Sequence, residues 1–417
     1  MEILCISNGH GEDAIAFNIL QQLQQYPQAP NLAVLPLVGE GIAYTQLNIP
    51  VIGKVQKMPS GGFINRDGYQ LWRDLRSGLI GLSLAQYQVI RKWGQNGGKI
   101  LAVGDIVPLL FAWLSGTDYV FVGTAKSQYY LRDETGWLSE TSWLEREFGS
   151  VYYPWETWLM SDRRCKAVFP RDKLTAEILQ QRSIRAFALG NPMMDGFVFS
   201  EAEKSLDFQQ QRSLSILLLP GSRVPEAHRN WQKIIKAIEG IFSVFTDTKL
   251  IFLGAISPGL NIAPFREYLL VKGWNDESQN SVEMPIEDSK AVAFTQKNGV
   301  LILTQNAYKK CLRIAEVAIA MAGTATEQFV GLGKPAIAIP GSGPQFTYNF
   351  AKEQTRLLGC SVILVENPTK VGNVIKSVLS DSQRMKAIAL NGKEKMGTSG
   401  AGARIANCVM EKFSLVT

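Results

Sequence analysis

The regular alternation of short, nearly continuous apolar runs with longer amphipathic stretches constrains this chain more than any other feature. Runs at 2–7, 32–36, 100–103, 119–122, 167–169 and 186–189 predict strands in the first half; runs at 215–219, 249–253, 299–303, 317–321, 335–339 and 361–364 predict them in the second. A strand that is apolar on both alternating faces is buried on both, as in a parallel sheet sandwiched between helices, and the amphipathic stretches supply the helices of βαβ crossovers. The predicted class is α/β, with a parallel sheet in each half.

Two sheets and 417 residues exceed one core and suit two domains. The break falls where Gly190-Asn191-Pro192 stops the last run of the first half and a polar stretch, 200–212, follows. The expected organisation is an N-terminal domain over 1–190, a linker over 191–212 and a C-terminal domain over 213–381. A helical segment over 382–417, interrupted by glycines between 397 and 402, is free to pack back on either domain, the N-terminal one included.

With 46% hydrophobic and 19% charged residues the chain has the material for packed cores. A net charge of +6 is too small to announce nucleic acid, yet leaves room for a face biased toward anionic lipid or phosphate. The five cysteines, Cys5, Cys165, Cys311, Cys360 and Cys408, are scattered without a CxxC pair and read as buried thiols of a reducing compartment. No basic leader precedes the run at Ile3, and no apolar run reaches the roughly 18 residues of a membrane span. A cytoplasmic protein is expected, with peripheral attachment to the cytoplasmic face of a membrane left open. That option rests on aromatic residues: Trp72, Trp93, Trp113, Trp137, Trp143, Trp155 and Trp158 are seven of the nine tryptophans, most of them within 63–93 and 137–159, where Arg66, Arg73, Arg76, Arg91 and Lys92 also fall. Such rings serve either a core or a surface that meets the lipid–water boundary, and both readings stand.

Three predicted strands of the second half end in loops with the chemistry of an anion site. The first runs into Pro220-Gly221-Ser222-Arg223: Gly221 lets backbone approach closely, Ser222 offers a hydroxyl, and Arg223 offers a two-pronged guanidinium for phosphate oxygens. Taken alone, the same residues make an ordinary strand-to-helix turn with a surface arginine. The second leads through Ala322-Gly323-Thr324-Ala325-Thr326 to Glu327-Gln328, where the N–H groups of a starting helix point at an anion and Glu327 or Gln328 can accept from ribose hydroxyls. The alternative is that Thr324 or Thr326 merely caps that helix. In the third loop, 341–349, Gln345, Thr347 and Asn349 are offered to sugar hydroxyls or a base, although Asn349 can instead cap the next helix.

The order Leu219-Pro220-Gly221-Ser222-Arg223, then Ala322 to Gln328, then Gly333-Lys334-Pro335 with Gln345 and Asn349 behind it, resembles lipid A disaccharide synthase and, more distantly, the peptidoglycan N-acetylglucosaminyltransferase. Leu189-Gly190-Asn191-Pro192 extends the resemblance, which spans most of the chain. It implies the GT-B fold, two Rossmann-like domains facing each other across a cleft, with a UDP-sugar held mainly by the C-terminal one. Two places depart from the family pattern. SGTATLE reads AGTATEQ, which puts Gln328, not Glu327, at the family's glutamate, and the N-terminal GExSGD reads Gly9-His10-Gly11-Glu12-Asp13, closer to the glycine–histidine loop of the peptidoglycan enzyme.

That loop follows the first strand, and its Gly9 and Gly11 bracket His10, one of only two histidines in the chain. A neutral imidazole there can take a proton from an attacking hydroxyl. Asp105 is the rival: the resemblance places a catalytically important aspartate in this region, as the base or as the group that orients His10. Glu12 and Asp13 are read as complements to a helix N-terminus, and the second histidine, His228, as structural. No metal-ligand spacing and no DxD run occurs, so no metal and no organic cofactor are expected, and Arg223 with a helix N-terminus is left to stabilise a departing diphosphate. The resemblance implies an inverting glycosyltransferase that moves a sugar from a UDP-sugar, UDP-N-acetylglucosamine or a related hexose, to a lipid-linked acceptor. Two alternatives stay open: a UDP-sugar 2-epimerase, which shares the fold and a similar turn, and a nucleotide-sugar- or lipid-binding protein without turnover.

Overall fold

The computed structural model describes residues 1–56, 78–197, 213–277, 282 and 284–414. The chain forms two compact units: Met1–Gly196 joined by Gly397–Thr417, and Phe197–Met396.

The strands of the first unit are β1 (Glu2–Ser7), β2 (Asn31–Pro36), β3 (Lys99–Gly104), β4 (Tyr119–Gly123), the small hairpin β5 (Arg132–Asp133) and β6 (Gly136–Trp137), and β7 (Cys165–Pro170). Five of them make a parallel sheet in the order β2-β1-β3-β4-β7. The helices are α1 (His10–Gln24), α2 (Leu79–Gln95), α3 (Ile106–Leu114), α4 (Trp143–Phe148), α5 (Pro154–Ser161) and α6 (Lys173–Gln181). Alternation along each strand decides which helices it meets. Ile3 and Cys5 enter one core with Ile15, Ile19 and Leu20 of α1, whereas Leu4 and Ile6 enter the other with Ile90 of α2 and Leu109 of α3. The chain leaves β1 for β2 on one side and returns to β3 on the other. The loops after β1 and β3 therefore diverge to opposite faces, leaving at the carboxyl ends of their strands the crevice in which open α/β sheets bind ligands.

The second unit holds β8 (Ser213–Leu219), β9 (Lys249–Ala255), β10 (Asn275–Glu277), β11 (Val292–Gln296), β12 (Gly299–Thr304), β13 (Val317–Ala320), β14 (Ala336–Ala338) and β15 (Val362–Leu364), in the order β10-β11-β12-β9-β8-β13-β14-β15. Its helices are α7 (Glu226–Val244), α8 (Ala263–Val271), α9 (Tyr308–Ile314), α10 (Thr324–Gly331), α11 (Tyr348–Leu358), α12 (Val371–Leu379) and α13 (Ser382–Met396). On α7 the buried Ala227, Trp231, Ile234, Ile235, Ile238 and Ile241 share one face, and the exposed Arg229, Gln232, Lys236 and Glu239 the other. Here the direction of travel reverses between β8 and β13, so the second crevice lies between the loops that follow those two strands.

Several expectations change. β10 and β11 run antiparallel at one edge of the second sheet, where no strands were predicted, and 186–189 reaches its sheet through a single bridge, Val168 to Ala186. Residues 191–196 belong to the first unit rather than to a linker: Pro192 and Met194 are buried, and Asp195 accepts from the N–H groups of Ala401 (2.8 Å) and Gly402 (2.6 Å). That carboxylate anchors the start of the last helix, Ala401–Ser414, whose Ile405, Val409 and Phe413 complete the α1 core. The 382–417 segment is thus divided, since α13 stays in the second unit. Residues 198–212 of the expected linker lie outside the described residues. Of the cysteines, Cys360 is exposed and Cys408 half-buried, so the expectation of five buried thiols holds for three. Among the described residues no helix is long and apolar enough to cross a membrane.

Candidate functional site

In the second unit the three motif loops meet. Gly221 has φ +96°, and a β-carbon there would stand 3.2 Å from the Met321 carbonyl oxygen, so only glycine lets the loop after β8 lie against the loop after β13. Asn230 of α7 ties in the third loop: its Nδ2 donates to the Pro220 carbonyl (3.0 Å), and a β-carbon at Gly341 would come within 3.1 Å of its Oδ1. Asn230 is buried, and Oδ1 has no hydrogen-bond partner among the described residues. Glu226, also buried, accepts from the backbone N–H groups of Gln345 (3.2 Å) and Phe346 (2.6 Å) and so shapes the 341–347 loop. Glu226→Ala would strand those two donors; it is expected to destabilise the unit by about 1–3 kcal/mol and to speed amide exchange at Gln345 and Phe346, as hydrogen-exchange mass spectrometry would read.

At the start of α10 the carbonyl oxygens are taken up by side chains. The Thr326 hydroxyl donates to the Ala322 carbonyl (2.5 Å), and Gln354 Nε2 of α11 donates to the carbonyls of Ala322 (3.1 Å) and Gly323 (3.3 Å). With these oxygens committed, the N–H groups of Thr324 and Ala325, which have no acceptor within the helix, face outward at the positive end of its dipole. Ser222, Arg223 and Thr324 are exposed. No side chain caps α10 across Gly323, so neither Thr324 nor Thr326 is its cap. The cap of α11 is Thr347, which accepts from Phe350 N (3.1 Å), rather than Asn349, which lies exposed in the first turn. Tyr308 donates its hydroxyl to Gln328 Oε1 (2.7 Å), engaging the residue that alignment set at the family's glutamate; Glu327 beside it is half-buried.

In the first unit, Gly9 (φ +132°) precedes α1, whose first residues are His10 and the exposed Gly11. The His10 side chain lies outside the described residues. Asp105 caps α3 through Val107 N (2.9 Å) and accepts from Asn8 Nδ2 (2.7 Å), which places it across the crevice mouth from the β1 loop. Burial, reinforced by the Glu156 charge, raises the Asp105 carboxyl above its ordinary range against the pull of the Val107 N–H; burial, with the Asp105 and Asp13 charges, raises Glu12. Asp13 has a different fate. It is buried and accepts from Ser7 Oγ (2.6 Å) and Tyr44 OH (3.2 Å), which makes it part of the core rather than a helix-end charge.

Two further groups approach Asp105. Glu156 of α5, 2% exposed, accepts from Lys126 Nζ (2.5 Å) and Tyr153 N (2.8 Å), and Lys126 stands 4.3 Å from the centre of the Tyr153 ring. The buried Tyr152 hydroxyl has no partner among the described residues. Sequence reasoning missed Glu12 as a partner of Asp105, and Lys126, Glu156, Glu226 and Asn230 altogether. Glu156 lies far from every motif and leaves little local signal; the one available hint was a glutamate at the third position of a helix that starts at Pro154, the pattern of a capping box. His228 packs edge-on against Phe265 (5.0 Å) in α7, a structural setting. No group of three His, Cys, Asp or Glu among the described residues is placed to hold a metal ion.

The tryptophans divide. Trp143, Trp155 and Trp158 on α4 and α5 are 73%, 57% and 60% exposed, accompanied by exposed Leu144 and Phe148, whereas Trp93, Trp113 and Trp137 are half-buried and Trp72 lies outside the described residues. Arg66, Arg73 and Arg76 lie outside them too.

No protein-family model matches this chain, and no curated protein matches it. Solved structures share its fold. The UDP-GlcNAc 2-epimerase of Neisseria meningitidis bound to UDP-GlcNAc aligns over 99% of this chain and 100% of its own at 13% identity and a TM-score of 0.56. The UDP-GlcNAc 2-epimerase of Methanocaldococcus jannaschii aligns over 99% and 100% at 14% identity and a TM-score of 0.55. MurG of Acinetobacter baumannii, a GT-B glycosyltransferase, aligns over 98% and 99% at 14% identity and a TM-score of 0.54. At such identities the likeness is one of fold, and the fold is of GT-B type. That is the fold the motifs implied, and the likeness does not single out lipid A disaccharide synthase.

Proposed function

We propose that this chain is an enzyme acting on a UDP-sugar. The observation that carries the reading is the meeting of the loops after β8, β13 and β14 at the switch point of the second sheet, with Gly221 seated on the Met321 carbonyl. Arg223, Ser222 and the N–H groups of Thr324 and Ala325 grip the diphosphate, with Gly221 and Gly323 keeping the approach open. Glu327 takes the ribose hydroxyls, and Gln345 and Asn349 the base or sugar. A neighbour of the same fold is bound to UDP-GlcNAc, which supports the choice of nucleotide.

Of the chemistries open to such a site, 2-epimerisation stands first. Two of the three neighbours described are UDP-GlcNAc 2-epimerases. Inversion at a carbon needs a proton taken from one face and another delivered to the opposite face. Asp105 and Glu12, half-buried carboxyl groups with raised pKa values, suit that division into base and acid. A second reading, glycosyl transfer to a lipid-linked acceptor with Asp105 or His10 as base, is favoured by the exposed tryptophans of α4 and α5, a surface suited to peripheral contact with a membrane.

Incubation with UDP-N-acetylglucosamine alone separates the two. The manno epimer appearing without an acceptor is the expected result. Free UDP released only when a lipid extract is added would replace that reading with transfer, and UDP binding without either product would leave a binding protein.

A further inference from the structure

A cavity of about 440 Å³ opens on the outer side of α7, between that helix, α8 and the loop after β14. Its volume falls within the range of about 300–1,000 Å³ usual for small-ligand sites, but its lining is not apolar. Arg229, Lys233 and Lys236 recur along one stripe of α7, Lys272 closes the far wall at the end of α8, and Glu239 is the only carboxylate among the lining residues. Helix surfaces usually offset such a row with acids one turn away. Here none of the four cations has an ion pair among the described residues, not even with Glu239.

Two of the cations are held in place. Lys233 Nζ donates to the Pro340 carbonyl (2.6 Å), which keeps its ammonium in the wall and leaves its other N–H bonds available, and Lys272 Nζ lies 5.7 Å from the Tyr268 ring centre. Gln232 and Ser342 add an amide and a hydroxyl to the rim. Four cations gathered around a single carboxylate, with no ion pair to it among the described residues, repel one another, so an anion that enters relieves the repulsion and binds the folded unit in preference to the unfolded one. The cavity lies along the flank of α7, whereas the proposed diphosphate grip lies at the loops before α7 and α10, and it does not depend on that grip.

We propose that this groove is a second anion site, which takes a phosphate-bearing group. The group is either a free polyphosphate or the headgroup of an anionic lipid. Exposed Leu270 and Val271, 44% and 81% accessible immediately before Lys272, give the lipid source an apolar foothold.

The test uses the full chain carrying Arg223→Ala, so that phosphate binding at the loop after β8 is weakened, and the paired variants separate the groove from what remains there. Inorganic tripolyphosphate is titrated by calorimetry, and flotation is measured with vesicles of phosphatidylcholine alone and with added phosphatidylglycerol. Lys236→Glu with Lys272→Glu changes the groove; Lys376→Glu with Lys393→Glu, exposed lysines on α12 and α13, makes the same charge change elsewhere in the unit. The groove pair is expected to weaken binding about tenfold or more, the scale of losing charge-assisted contacts, and the control pair by less than about twofold. Tripolyphosphate binding that depends on the groove identifies a soluble ligand, and groove-dependent flotation with phosphatidylglycerol a headgroup; either supports the site. Equal losses in the two pairs, no binding in either arm, or flotation that the groove pair leaves intact without tripolyphosphate binding overturns it. UDP binding by the groove pair with Arg223 restored reports on the other site separately.

Discussion

Asp105→Asn is expected to lower turnover of a UDP-sugar by about 10²–10⁴-fold, the usual contribution of one general acid or base, and at the same time to raise the stability of the first unit at neutral pH. The two effects share a cause. Asp105 is half-buried near Glu12 and Glu156, and its carboxyl is raised above the ordinary range. A carboxyl whose folded pKa exceeds its unfolded one penalises the native state when ionised: the penalty is absent below the unfolded value of about 4 and complete above the folded one. Replacing the carboxylate with an amide removes that penalty. The gap in stability between the variant and the parent should therefore be closed in acid and open as pH rises through the raised pKa, as denaturant melts across the pH range would show. Asparagine keeps the helix cap to Val107 N, and Asn8 can turn its amide to offer Oδ1, without a partner among the described residues, to the new NH₂ group. In the parent, activity should fall with acid at a pH above the ordinary aspartate range, because the base must be ionised to work. A variant destabilised equally at every pH would assign Asp105 to the helix cap alone.

What the sequence made legible was whatever continuous burial writes into it. Strands such as β1, β8 and β13 are apolar on both faces, and their ends set the loops of the proposed site, so the positions of Gly221, Arg223 and Gly323 after strand ends were within reach of a reading by pattern. The edge strands were not, because β10 and β11 are short and partly exposed. A two-residue loop at Lys297-Asn298 before Gly299 did carry a hairpin signal, Lys297 adopting φ +51°. Side chains that act across long sequence separations left no trace: Glu226 reaches Phe346, and Asp195 reaches Ala401, through folding alone. The division of 382–417 has the same origin. Both helices look alike as sequence, but Gly392 brings α13 against the Val330 carbonyl, where a β-carbon would stand at 2.1 Å, while the acidic partner of the following helix waits in the other unit. Aromatic content is ambiguous for a physical reason too. A tryptophan buries well and meets an interface well, so only accessibility separates Trp231, 1% exposed, from Trp143.

Arg223→Ala is expected to weaken UDP binding by about ten- to a hundredfold, the equivalent of one charge-assisted contact of about 1.5–3 kcal/mol, and to leave uridine binding unchanged. Arg223 is suited to such a test. Its side chain is exposed, and its backbone carbonyl already accepts from Ala227 N (2.8 Å) at the start of α7, so truncation removes the guanidinium without disturbing the turn. The N–H groups at the start of α10 remain to hold the diphosphate, which is why the loss is partial. Arg223→Lys keeps the charge and loses the two-pronged geometry, so it should fall between the parent and the alanine variant, and its remaining affinity should be the more sensitive to salt. Calorimetry with UDP and uridine on the three proteins decides the matter through a difference. A fall in UDP affinity with uridine unchanged places the guanidinium on the phosphates. Parallel falls for both ligands would mean that the loop after β8 supports the site only by its shape, and unchanged UDP affinity would remove Arg223 from it.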